Sequence, residues 1–162
     1  MRAGVLTISD KGFKKQRVDE SGPAVRDVLS GIGASIDRYE IVPDEAEAVK
    51  SKLLQYADDL RLDLVVTTGG TGLSPRDITP EATRDVIERE IPGMAEAMRM
   101  ESLKVTPHAV ISRGIAGVRG QTLIINLPGS PKAARENLQT ILQAIPHAVS
   151  KIKGDPSDCA AT

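Results

Sequence analysis

Asp63-Leu64-Val65-Val66-Thr67-Thr68-Gly69-Gly70-Thr71-Gly72 is the stretch that decides the fold. Its apolar centre is short and continuous, as in a parallel strand covered on both faces. Three glycines in four residues then end the strand. Glycine tolerates positive φ and lets the backbone pass close to a ligand. On the N-terminal side, Gly4 to Ser9 reads as a buried strand ending at Asp10, followed by a polar loop over 11–20. Ser21 can cap a helix with Pro23 in its first turn. Val25, Val28, Leu29 and Ile32 keep helical spacing, and Gly31 and Gly33 mark the end. Ser35 to Val42 reads as a second strand. Ala46, Val49, Leu53, Ala57 and Leu60 form the apolar stripe of a second helix. This β-α-β-α-β order predicts right-handed crossovers and a parallel sheet with helices on both faces.

On the C-terminal side, Pro80 opens a helix behind Thr79, and Pro92 restarts or kinks it towards Lys104. His108 to Ser112 and Thr122 to Asn126 read as strands. Residues 114–121 between them suit a tight hairpin with Gly120 at the turn. Ser130-Pro131 opens the last helix, with Leu138, Ile141, Leu142 and Ile145 facing inward and Pro146 interrupting it near the end. No linker divides the chain, so the expectation is one α/β domain over 1–162, its tail frayed from about 154.

Composition excludes several classes. Lys plus Arg is 21 and Asp plus Glu is 22, a formal net charge of −1. There is no global basic field for nucleic acid. Phe13, Tyr39 and Tyr56 are the only aromatics, too few for base-stacking platforms. The single cysteine, Cys159, can form neither an internal disulfide nor a cysteine-rich metal site, and this usage fits a reducing cytoplasm. No apolar run approaches the length of a membrane span, and no signal-peptide core opens the chain. The expected location is the cytoplasm.

In an open parallel sheet, ligands bind beyond the carboxyl ends of the strands. Here those ends are Ser9-Asp10, Pro43-Asp44-Glu45, Thr67-Thr68-Gly69-Gly70-Thr71-Gly72 and Asn126-Leu127-Pro128-Gly129-Ser130. Consecutive amides in a glycine turn can form an anion nest. The turn is neither a P-loop, lacking a following Lys-Ser/Thr, nor a Rossmann fingerprint. The alternative is a tight strand-to-helix turn without a ligand; the threonines and the nearby Arg76-Asp77 favour phosphate. Asp44 reads alone as a helix cap in a D-x-x-E box, with Glu45 in the first turn. Asp77 can close a local turn or pair with Arg76. Two carboxylates beside a phosphate nest also suit Mg²⁺, which takes one or two carboxylates, waters and substrate phosphates; Asp10 is a third candidate. His108 and His147 have no ligand spacing and read as packing or surface residues. Met94, Met98 and Met100 read as core or interface. Ser102 and Ser112 are weak candidates on these grounds.

The run VVTTGGTGLSPRDITPEAT (65–83), together with ISD (8–10), PDE (43–45) and LIINLPGSPKA (123–133), resembles the MogA/MoaB family of molybdenum-cofactor biosynthesis, to which gephyrin G domains are related. The resemblance runs from Ile8 to about Ile152. It implies a three-layer α/β/α sandwich with a mostly parallel mixed sheet, assembled as a homotrimer. It implies adenylylation of molybdopterin by Mg-ATP, giving adenylyl-molybdopterin and pyrophosphate. Asp44 and Asp77 then match the essential acidic pair, with Mg²⁺ anchored by both. Ser9, Asp10, Thr68, Gly69, Gly70, Thr71, Gly72, Asn126, Pro128, Gly129 and Ser130 match substrate-binding elements. Ser102 and Ser112 match positions near the pterin and phosphates. The molybdenum-insertion protein is the implied macromolecular partner. A non-catalytic molybdopterin-binding paralogue and a trimeric interaction scaffold are the alternatives, because a fold does not by itself secure a function.

Overall fold

A computed structural model describes residues 1–156. Six strands form one sheet: β1 (Arg2–Ile8), β2 (Ser35–Val42), β3 (Leu64–Thr68), β4 (Arg89–Glu90), β5 (Ala116–Arg119) and β6 (Thr122–Leu127). Their spatial order is β2-β1-β3-β6-β5-β4. β2, β1, β3 and β6 run parallel, with Val5 beside Val66 and Val66 beside Ile125. β5 is antiparallel to both of its neighbours, so the sheet is mixed and mostly parallel. The chain leaves β1 first for β2 on one side and then for β3 on the other, which creates a switch point at β1.

The period-2 alternation of strand side chains feeds two apolar layers. Ala3, Val5, Leu64, Val66, Leu123 and Ile125 face α2 (Ser21–Ser30), α5 (Pro92–Leu103), α6 (Pro131–Ile141) and α7 (Ala144–Ile152). Leu6, Ile8, Val65 and Ile124 face α3 (Ala46–Leu54) and α4 (Thr79–Val86). The result is the expected α/β/α sandwich.

Several local expectations are corrected. Residues 114–121 contain β5 itself, and the hairpin turns at Gly120 with φ +53°. His108 to Ser112 is no strand: Pro107–Ile111 is a 3₁₀ turn, started by Pro107 and by the Thr106 hydroxyl accepting the His108 N–H at 3.3 Å. Between Thr79 and Lys104, Pro92 restarts the helix rather than kinking it: α5 begins at Pro92, and β4 separates it from α4. Two exposed residues carry no strand pattern, and β4 exists only by pairing with Gly117 and Val118. The start of the 11–20 loop is helical: α1 (Asp10–Phe13) takes in its first three residues and is capped by the Ser9 hydroxyl. α2 is entered differently too. Asp19, not Ser21, caps it, accepting the N–H groups of Ser21 and Gly22 at 2.9 and 3.2 Å. The last helix breaks after Ile141, and Pro146 lies in the first turn of α7. Beyond Gly154, Asp155 is tied to Ser150 at 2.7 Å, and residues 157–162, including Cys159, lie outside the described residues.

Candidate active site

The site is built from the four carboxyl ends named by the sequence. After β1, Asp10 and Asp44 clasp each other through reciprocal bonds. The Asp10 N–H donates to Asp44 Oδ2 at 2.7 Å, and the Asp44 N–H donates to Asp10 Oδ1 at 3.1 Å. Arg76 grips both Asp10 oxygens, its Nη2 at 2.8 and 2.9 Å and its Nε at 3.1 Å. Loss of hydration opposes charge on Asp10, but the Arg76 guanidinium outweighs it and holds the carboxyl below its usual value. Asp44 does not cap α3. Glu45 occupies the cap position without a side-chain bond, because the Asp44 carboxylate is turned to Asp10. Burial raises the Asp44 carboxyl above the usual range, and the charges of Asp10 and Asp77 add to the rise.

After β3 the chain turns through Gly69 at φ +104° and Gly70 at φ +63°. A Cβ at Gly69 would collide with the Ile8 carbonyl, and one at Gly70 with the Thr79 hydroxyl. Glycine is therefore required twice over, by torsion and by space. The Gly69 N–H bonds the Leu127 carbonyl at 3.1 Å and the Thr68 hydroxyl bonds the Pro128 carbonyl at 2.7 Å. These bonds dock the turn onto the end of β6. Every carbonyl of residues 69–72 is taken. Gly69 O accepts from Thr79 Oγ1 at 2.9 Å, and Gly70 O from Thr79 N at 3.1 Å. Thr71 O accepts from Arg113 N at 3.0 Å, and Gly72 O from Arg113 Nε at 2.8 Å. The N–H groups of Gly70, Thr71, Gly72 and Leu73 have no acceptor among the described residues. Four adjacent donors are thereby left for a ligand, the raw material of an anion nest.

Two cavities meet at this turn. The first, about 710 Å³, is lined by Thr7, Ser9, Arg17, Asp19, Asp44 and Thr68 among others, and by Ser130 at the head of α6. The second, about 420 Å³, is lined by Asp77, Ser102, Val105, His108, Ile111 and Ser112 among others. Gly70 and Gly129 line both. Asp77 closes a local turn, its Oδ2 accepting the Ser74 N–H at 2.7 Å, and it does not pair with Arg76. Asp44 Oδ1 and Asp77 Oδ1 accept no hydrogen bond among the described residues. No cluster of three His, Cys, Asp or Glu exists among the described residues. Asp44 and Asp77 thus each keep one carboxylate oxygen unbonded, the type of ligand that Mg²⁺ takes alongside phosphate and water.

Of the other sequence-named residues, Pro128, Gly129 and Ser130 line the cavities. Thr71 and Gly72 line the second, as do Ser102 and Ser112. Asn126 does not line either cavity. Its amide donates to Thr67 and Thr83 at 3.0 and 2.9 Å and accepts the Ile115 N–H, so it fastens β6 to the framework. Ser102 accepts a bond from Asn137 at 2.8 Å. Sequence reasoning missed Arg113, Thr79 and Asp19. Arg113 stands next to Ser112 without any local pattern, and Thr79 reads only as the residue before a helix. Asp19 carries a local signal, Asp-x-Ser-Gly at a helix start, which is an Asx-type cap.

Residues 4–147 match the family model described as "Probable molybdopterin binding domain". The chain belongs to this family. A molybdopterin adenylyltransferase of Helicobacter pylori strain J99 is 48% identical over 154 residues, covering 94% of this chain and 88% of that protein. Gephyrin of Dictyostelium discoideum is 45% identical over 94% of this chain, which spans 23% of gephyrin. The crystal structure of the molybdopterin biosynthesis enzyme MoaB from Thermus thermophilus is 54% identical, with a TM-score of 0.90 over 97% of this chain and 99% of that one. The resemblance to MogA/MoaB proteins and to gephyrin is thereby borne out, as is the fold.

Proposed function

We propose that the protein is a molybdopterin adenylyltransferase of molybdenum-cofactor biosynthesis, using Mg-ATP. The observation that carries the reading is the junction of two cavities at Gly70 and Gly129, flanked by Asp44 on one side and Asp77 on the other. A two-substrate transfer needs such a junction: each cavity takes one substrate, and the reacting phosphates meet at the shared wall. The named relatives at 38–48% identity support the same activity. A terminal phosphate oxygen of molybdopterin attacks the α-phosphorus of ATP. The bond to the β-phosphate breaks, and pyrophosphate leaves. Such a reaction needs positioning and charge neutralisation rather than a protein nucleophile.

The free N–H groups of 70–73 hold and orient phosphate oxygens where charge develops. Asp44 and Asp77 would hold Mg²⁺, which when bound neutralises negative charge on the polyphosphate. The attacking phosphate is already anionic, so neither carboxylate is needed as a base. We assign the reaction to the cytoplasm. We also propose a homotrimer, as the family resemblance implies; the exposed Met100, Leu103 and Val110, which line neither cavity, offer apolar area for such contacts. The molybdenum-insertion protein remains the proposed recipient of the product. Pyrophosphate release from Mg-ATP, with and without molybdopterin, tests the activity. Release that depends on molybdopterin is expected; binding of molybdopterin without release would make the protein a binder. Sedimentation giving a monomer across working concentrations would overturn the trimer.

A further inference from the structure

We infer that Arg113 and Thr79 are positioning residues that create the phosphate-binding face of the glycine turn by holding its carbonyls outward. The inference rests on the adenylylation reading for its consequence, but not for its geometry. A trans peptide is planar, so its N–H points opposite to its C=O. Fixing the carbonyl of one residue therefore fixes the direction of the next residue's N–H. The four carbonyls of 69–72 are held in sequence by Thr79 Oγ1, Thr79 N, Arg113 N and Arg113 Nε. The four N–H groups that follow, at 70–73, are the ones left without an acceptor among the described residues. Two residues thus account for the orientation of every peptide in the nest.

Each is itself fixed. Thr79 is fully buried at the first residue of α4, so its hydroxyl has one place to go. Arg113 carries a further bond from Nη2 to the Asp77 carbonyl at 2.7 Å and an ion pair from Nη1 to Glu81. The same guanidinium therefore sets the glycine turn and the residue bearing the second carboxylate. A planar fork can reach two carbonyls and a carboxylate at once; a lysine ammonium is a point charge and cannot reproduce that geometry. Neither side chain is needed to touch the substrate. Their effect passes through the peptide planes, at positions where glycine offers no side chain to restrain the backbone.

The test uses the full chain and inorganic pyrophosphate as probe. Backbone amide resonances of Gly70, Thr71, Gly72 and Leu73 are followed by NMR during titration of the wild type, Arg113→Lys, Thr79→Val and Thr79→Ser. In the wild type these four amides are expected to shift together. Arg113→Lys and Thr79→Val should weaken pyrophosphate binding by about tenfold or more, the scale of losing charge-assisted or buried hydrogen bonds. Thr79→Ser keeps the hydroxyl and should bind within about twofold of wild type, a rescue that loss of packing alone would not give. If Arg113→Lys does not fold, the contrast between Thr79→Val and Thr79→Ser decides the matter. Wild-type amides that ignore pyrophosphate, or a folded Thr79→Val that binds as well as wild type, overturn the proposal. Normal pyrophosphate binding at these amides without molybdopterin-dependent turnover would overturn the adenylylation reading and leave this one standing.

Discussion

The two loops that face each other across the site are held in opposite ways. The loop after β3 turns on two positive-φ glycines and is fixed by several partners: the end of β6, Thr79 and Arg113. The loop after β1 is anchored at its far end through one side chain. Asp19 Oδ2 accepts the Thr7 hydroxyl at 2.5 Å and the Tyr39 hydroxyl at 2.6 Å. Asp19 Oδ1 accepts both the N–H and the hydroxyl of Ser21, each at 2.9 Å, and the Gly22 N–H at 3.2 Å. Where the chain presents backbone donors to a ligand, the framework is redundant. Where it supplies a wall of side chains, one carboxylate joins β1, β2 and α2. The first loop should therefore respond to mutation mainly in binding and rate, the second mainly in stability.

The largest expected effect is at Gly70→Val. Valine there must adopt positive φ and place its Cβ against the Thr79 hydroxyl. Strain of this kind costs about 1–3 kcal/mol, and the displaced turn should lose its phosphate contacts. ATP affinity and turnover should both collapse while circular dichroism still reports the fold. Unchanged ATP affinity would show that this turn holds no ligand. Next is Asp77→Asn. Asparagine can still accept the Ser74 N–H, so stability should change by under about 1 kcal/mol. Losing the charge should lower turnover by about 10²–10³ and alter the Mg²⁺ dependence, with molybdopterin binding largely kept. Near wild-type turnover with the same Mg²⁺ dependence would falsify the metal role.

Asp19→Ala is expected to act on stability instead. It leaves the nearly buried Thr7 hydroxyl and the Tyr39 hydroxyl without their acceptor, a loss of about 1–3 kcal/mol. Urea unfolding measures it, and a loss confined to turnover would erase the contrast between the loops. The smallest effect is a pH dependence from the same residue. Burial works against the Asp19 charge, but bonds from Thr7, Tyr39, Gly22 and Ser21 outweigh it and hold the carboxyl below its usual value. A carboxyl depressed on folding stabilises the native state fully above its unfolded value of about 3.9. That contribution disappears as pH falls from there through the depressed native value. Asp19→Asn should flatten this part of the acid-stability curve, and an identical curve for the variant would remove Asp19 from the acid transition.

Legibility followed the locality of the signal. β1, β3 and β6 were readable because covered parallel strands are continuous apolar runs; β2, at the sheet edge, keeps charged residues and buries only Val42. β4 and β5 were not, since two exposed residues and a glycine-containing tetrapeptide become strands only through their neighbours. The same division holds within the site. Ser9, Asp44, Thr68, Gly69 and Ser130 could be named because they end strands, yet Asn126, named for the same reason, is turned inward by Thr67 and Thr83.

By itself, the sequence determined the parallel core and the place where a ligand would meet it. Apolar runs and glycine torsions act over a few residues, so they are written locally. The tertiary structure decided which donor met which carbonyl. Arg113 reaches Gly72 across 41 positions, and the Asp10 amide draws Asp44 out of its helix cap across 34. These partners are set by the pairing of β1 with β2 and by the path of the chain from β3 to β6. A hydrogen bond goes to the nearest well-aligned partner, and that neighbour exists only once the sheet has formed.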